Sequence, residues 1–178
     1  MARQWILNGQ EGFETSLEYQ ENVPVPSQAE LGPNEVLVKL YAASLNYREL
    51  VIAGPMVSHA CPQISHSPNS KQGVNGPITP PVVPGCDGAG TVEAVGSSVK
   101  GFKPGDRVVT NFDPAIADNA FSTVAQVPKM LGQGTDGTLR SIGVFPEGAL
   151  VHAPTSLDWL QAAILTVTYT TAWNSLFG

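Results

Sequence analysis

Val83-Pro-Gly-Cys-Asp-Gly-Ala-Gly-Thr-Val-Glu-Ala-Val-Gly96, continued by Phe102-Lys-Pro-Gly-Asp-Arg-Val-Val109, is the stretch on which the fold turns. Ala89–Val95 carries β-branched residues in partial alternation and reads as a strand, ended by Gly96-Ser97-Ser98. Lys103-Pro104-Gly105-Asp106 predicts a type II turn, because Pro presets φ at its second position and Gly accepts the positive φ required at its third. Arg107–Thr110 is then the returning strand. Gly85, Gly88 and Gly90 precede or lie inside a strand, where a bend or close backbone packing explains them.

Working outward, Glu35–Leu45 is the clearest strand. Asn46–Ala53 predicts a short helix, with Asn46 as its cap and Gly54 as its stop. Trp5-Ile6-Leu7 reads as an edge strand paired with Leu17–Gln20, and Pro24, Pro26 and Pro33 break the chain into turns. Residues 55–81 are rich in Pro, Ser, Asn and Gly and read as a long, exposed, mobile loop. Downstream, Thr138–Gly143 and Ala149–Ala153 read as strands around a Pro146-Glu147-Gly148 turn. Ser156 is then expected to cap the one extended helical region, with Asp158 in its first turn. Leu157, Leu160, Ala163, Ile164 and Val167 recur at helical spacing, and the threonines at 166, 168, 170 and 171 predict a break near Thr166. The expected fold is mainly β with terminal helices.

Composition narrows the function. The chain has 178 residues, 42% hydrophobic, and a net charge of -6 with scattered Lys and Arg. A nucleic-acid partner needs a concentrated basic face, and none is visible. No apolar run reaches membrane-spanning length, and the amino terminus lacks a signal-peptide core. Cys61 and Cys86 cannot build a disulfide framework, so a cytoplasmic setting is expected.

Two motifs invite a ligand. Gly132-Gln-Gly134-Thr-Asp-Gly137 matches G-x-G-x-x-G, but no strand precedes it and no helix follows, so a flexible surface loop is the better reading. His59, Cys61 and His66 are soft-metal donors in a loop unsuited to preorganising them, and solvated side chains are the better reading. His152 lies in an alternating strand and is expected to be structural.

Three segments taken in order resemble the medium-chain dehydrogenase/reductase family. They are Ala43-Ser-Leu-Asn-Tyr-Arg-Glu-Leu50, the 83–109 block, and Ala162-Ala163 followed by Thr171-Ala-Trp-Asn-Ser-Leu-Phe177. The resemblance implies a GroES-like β-barrel catalytic domain over residues 1–155, with 156–178 as the first helices of a missing Rossmann domain. Asn46, Cys86 and Val167 occupy the positions where zinc-dependent relatives place their metal ligands. One thiol cannot hold a metal that needs three protein ligands, so the likeness is to the zinc-independent, quinone-oxidoreductase-like branch, with no metal residues. It implies hydride transfer from NADPH or NADH to a carbonyl, enone or quinone. Asn46 and Tyr47 are the implied catalytic residues, and Asn46, Tyr47 and Thr171 the implied cofactor contacts. Tyr47 is either an oxyanion donor or a core aromatic, and Thr171 either a nicotinamide contact or helix packing. Glu49 stands where the family has Asp. The implied partner is a small-molecule substrate, with a homodimer left open for the full-length form. The alternative is a truncated, non-catalytic GroES-like binding module.

Overall fold

The protein is described here by a computed structural model, which places residues 1–54, 78–115 and 129–178. β3 (Glu35–Ser44) is the hub of a five-stranded sheet. It pairs antiparallel with β4 (Asp87–Val95) on one side and β6 (Ile142–Pro146) on the other. β5 (Arg107–Thr110) adds to β4, and β7 (Leu150–His152) to β5, giving the order β6-β3-β4-β5-β7. β1 (Ala2–Leu7) and β2 (Leu17–Val23) form a separate antiparallel ribbon, joined through α1 (Phe13–Ser16). The Lys103–Asp106 turn forms as read, with Gly105 at φ 91° and the Asp106 N–H donating to the Lys103 carbonyl at 3.1 Å.

The main core joins Val36 and Val38 of β3 to Val92, Val108, Leu131 and Phe145, all essentially fully buried. Each such side chain contributes about 1.5–3 kcal/mol by leaving water. A second cluster packs Leu7, Ile52, Ile78 and Val82 beneath α2 (Tyr47–Ala53). A third docks α3 (Trp159–Ala162) through Ala162 and Ala163 onto Ala89 and Val109. Trp159 reinforces that dock, stacked on Tyr41 at 4.9 Å between ring centroids and covered by the Arg107 guanidinium at 3.7 Å. Such a cation over an indole face is favourable. Leu165–Tyr169 follows as a π-helical turn, and α4 (Thr170–Phe177) is exposed along its length. The predicted break near Thr166 is this turn. No helix among the described residues is long and apolar enough to cross a membrane.

Four expectations need correction. Thr138–Gly143 is not a strand from its start: the Thr138 and Leu139 N–H groups donate to the Gly85 and Pro84 carbonyls, and the ladder begins at Ile142. The last helical region is capped by Asp158 rather than Ser156, because the Asp158 carboxylate accepts the Gln161 N–H at 2.8 Å while the Gln161 side chain reaches back at 3.1 Å. Of the 55–81 loop, residues 55–77 lie outside the described residues, with His59, Cys61 and His66 among them. Ile78 is buried rather than exposed. The Gly132–Gly137 turn is no flexible surface loop, since a methyl group at Gly137 would collide with the Gly85 carbonyl and Gln133 is fully buried.

Candidate active site

Asn46 ends β3's excursion and begins α2. Its backbone N–H donates to Glu49 Oε2 at 2.6 Å, so Glu49 closes the first turn from inside the helix. The Asn46 carboxamide makes tertiary contacts. Its Nδ2 donates to Asp87 Oδ2 at 3.2 Å and lies 3.7 Å from the Cys86 sulfur. Its Oδ1 accepts from the Thr168 hydroxyl at 2.8 Å.

The Cys86–Asp87 corner is fixed by its backbone. Gly85 adopts φ 94°, a conformation that L side chains resist. The Thr110 hydroxyl donates to the Cys86 carbonyl at 2.7 Å, and the Thr138 hydroxyl donates to the Asp87 carbonyl at 3.0 Å. Both threonines are buried, so these bonds compete little with water. Asp87 is itself completely buried. Its Oδ1 accepts the Thr166 hydroxyl at 2.7 Å and the Val167 N–H at 2.8 Å. Its Oδ2 accepts the Thr168 N–H at 3.0 Å. A buried carboxylate without such partners would cost several kcal/mol.

Behind this layer the Cys86 thiol donates to Glu49 Oε1 at 3.6 Å. Burial, and then the neighbouring Glu49 carboxylate, push the Cys86 thiol well above its ordinary range. Burial likewise raises Glu49, against the Asn46 N–H and the Arg48 charge, which lower it. Arg48 is anchored by the Leu131 carbonyl at 2.9 Å and Gln133 Oε1 at 2.8 Å, with its guanidinium 4.9 Å from the Phe112 ring centre.

Asn46, Cys86 and Val167 therefore do converge, as their equivalence to metal-ligand positions implies. They do not fit a zinc ion: the carboxamide is committed to Asp87, valine has no donor, and the one thiol left falls short of three protein ligands. Among the described residues no group of three His, Cys, Asp or Glu side chains is arranged to hold a metal. Tyr47 is 73% exposed, which removes the core-aromatic reading. It lines the rim of a cleft of about 880 Å³, walled by Trp5, Leu7, Leu17 and Leu50 and touched by Asn46 and Glu49. Thr171 lies on exposed α4 and makes no hydrogen bond to the Asn46–Asp87 cluster among the described residues; its carbonyl accepts the Ser175 hydroxyl at 2.8 Å. His152 Nε2 lies 3.0 Å from the Gly101 carbonyl, a structural contact. Sequence reasoning missed Asp87 and Thr168. The available signal was a charged residue inside the Val82–Gly90 apolar run, which burial obliges to find partners.

Residues 32–155 match the alcohol dehydrogenase GroES-like domain family. The chain belongs to the medium-chain dehydrogenase/reductase family through this GroES-like domain, whose mainly β fold it has. It is 38% identical, over its whole length and 45% of the relative's, to a zinc-type alcohol dehydrogenase-like protein of Schizosaccharomyces pombe. It is 31% identical to a chloroplastic quinone oxidoreductase of Triphysaria versicolor, over 95% of this chain and 40% of that one. Among solved structures it is similar to a Sinorhizobium meliloti protein assigned as an alcohol dehydrogenase, with 34% identity, a TM-score of 0.74, and coverage of 98% of this chain and 45% of that one. The chain thus spans under half the length of these relatives.

Proposed function

We propose that the chain is the catalytic-domain half of an NAD(P)H-dependent oxidoreductase that reduces a carbonyl, enone or quinone without zinc. The observation that carries this reading is the Asn46 carboxamide, held by Asp87 and Thr168 where metal-dependent relatives carry a ligand, beside an apolar cleft rimmed by Tyr47. Similarity to quinone oxidoreductases supports the same substrate class. A bound nicotinamide would supply the hydride. The apolar walls of the cleft suit an apolar acceptor, and in this reading the Tyr47 hydroxyl donates to an oxygen that gains negative charge. Asn46 positions the reacting groups, since its amide is already fixed before ligand arrives.

The described residues provide no cradle for the cofactor's pyrophosphate. The Gly132–Gly137 amides are spent internally, Gly132 on Thr135, Gly134 on Met130 and Gly137 on Val83. In this reading the cofactor's pyrophosphate is held by the part of the relatives' length that this chain does not span, on a Gly-rich loop and helix amino terminus. Two proteins test the reading: the 178-residue chain alone, and the same chain extended at Gly178 by the remaining half of the Schizosaccharomyces pombe relative. Calorimetric titration with NADPH and an enone-reduction assay should show binding and turnover only in the extended protein. Turnover by the short chain, or none by a folded extended protein that binds NADPH, would overturn it.

A further inference from the structure

We propose that the Asp87 carboxylate is a clamp that replaces the mechanical role of a metal ion, tying the segments of Asn46, Cys86 and Val167 together and setting which way the Asn46 carboxamide faces. Five donor contacts converge on this one buried group: the Thr166 hydroxyl, the Val167 and Thr168 N–H groups, the Thr168 hydroxyl at 2.9 Å and the Asn46 amide. A carboxylate offers about four lone-pair sites, so it cannot hold all five at once and one contact is shared. Thr168 has one hydroxyl proton, which lies within reach of both Asp87 Oδ2 and Asn46 Oδ1 at 2.9 and 2.8 Å.

This pattern accounts for the π-helical turn. A regular helix would send the Val167 and Thr168 N–H groups to carbonyls four residues back. Here they go to Asp87, while the Tyr169 N–H reaches the Ile164 carbonyl five residues back at 2.8 Å. The wider turn is offset by the charge-assisted bonds it permits. The clamp also selects one amide orientation for Asn46. Rotating the carboxamide by half a turn would set its oxygen against the Asp87 carboxylate, two acceptors with no proton between them.

The ¹⁵N-labelled chain provides the test through hydrogen exchange, with no cofactor needed. Thr168→Val removes the hydroxyl that Asn46 Oδ1 accepts, one of the two bonds that fix the carboxamide, so the NH₂ should leave Asp87 more often and exchange about tenfold faster, and Thr168→Ser, which keeps the hydroxyl, should restore the wild-type rate. Asp87→Asn should speed exchange at the Val167 and Thr168 amides by about tenfold or more while the Val92 amide, bonded to the Asp106 carbonyl at 2.9 Å, stays unchanged. An Asn46 signal indifferent to Thr168→Val, or not restored by Thr168→Ser, overturns the clamp, as does unchanged exchange at 167 and 168 in Asp87→Asn. If Asp87→Asn does not fold, the Thr168 pair decides alone. Because exchange is read without turnover, failure of the oxidoreductase reading leaves this result standing, and the reverse.

Discussion

Asp87 Oδ1 accepts the Val167 backbone N–H at 2.8 Å across eighty residues of sequence. The valine contributes its backbone at a position where its side chain has nothing to offer a metal. The consequence is that the Asp87 carboxylate, the Asn46 carboxamide and the 167–168 backbone are committed to one another by hydrogen bonds.

Purified protein is accordingly expected to carry no stoichiometric zinc. Elemental analysis after dialysis without chelator checks this. One tightly held zinc per chain would refute it, because zinc needs three or four fixed protein ligands.

Glu49 gives a pH dependence whose sign follows from burial. Its carboxyl holds a proton more tightly in the folded than in the unfolded state. Its contribution is therefore most favourable below the unfolded value of about 4.3 and is lost as pH rises through the raised folded value. Glu49→Gln still accepts the Asn46 N–H but cannot ionise. The stability difference between Glu49→Gln and wild type should shift in favour of the variant as pH rises from acid to neutral, measured by urea denaturation. A pH-independent difference would contradict it.

Gly137 and Gly105 separate close packing from backbone conformation. A methyl group at Gly137 meets the Gly85 and Pro84 backbone, whereas Gly105 has open space around it but a φ of 91°. Gly137→Ala should cost about 1–3 kcal/mol or more through overpacking of rigid backbone. Gly105→Ala should cost about 1 kcal/mol for its positive φ alone. Thermal melts that reverse this order would show that the 132–137 turn yields easily.

Phe145 is fully buried at the centre of the main core, with the Arg140 guanidinium 4.5 Å from its ring centre. Phe145→Ala should destabilise by about 3–5 kcal/mol, read from the urea midpoint at an unchanged slope. A loss under about 1 kcal/mol would mean that the cavity collapses, contrary to the tight packing of interiors.

Much of this architecture was legible locally. β3, the Lys103–Asp106 turn, the Asn46–Gly54 helix and the disruption near Thr166 follow from period, turn chemistry and propensity, all carried by neighbouring residues. What escaped depended on distant partners. Asp87 reads as one acidic residue in a glycine-rich block until Thr166, Val167 and Thr168 are set beside it. Gly132–Gly137 reads as a polar loop until Gly85 packs on it. Thr138 and Leu139 look like strand residues because they are β-branched and apolar, yet their N–H groups are taken by Gly85 and Pro84. Ser156 and Asp158 are both good caps, and only the reciprocal bond with Gln161 decides between them.

The position of β3 between β4 and β6 has a consequence for biogenesis. Its Glu35 edge waits for Pro146, and its Lys39 for Ile142. Until β6 is made, β3 offers a free row of backbone donors and acceptors flanked by Val36 and Val38, a template on which another chain can add. A nascent or shortened polypeptide ending before Ile142 is therefore a sticky species rather than a smaller working domain, and its fate in a cell is capture by chaperones or aggregation.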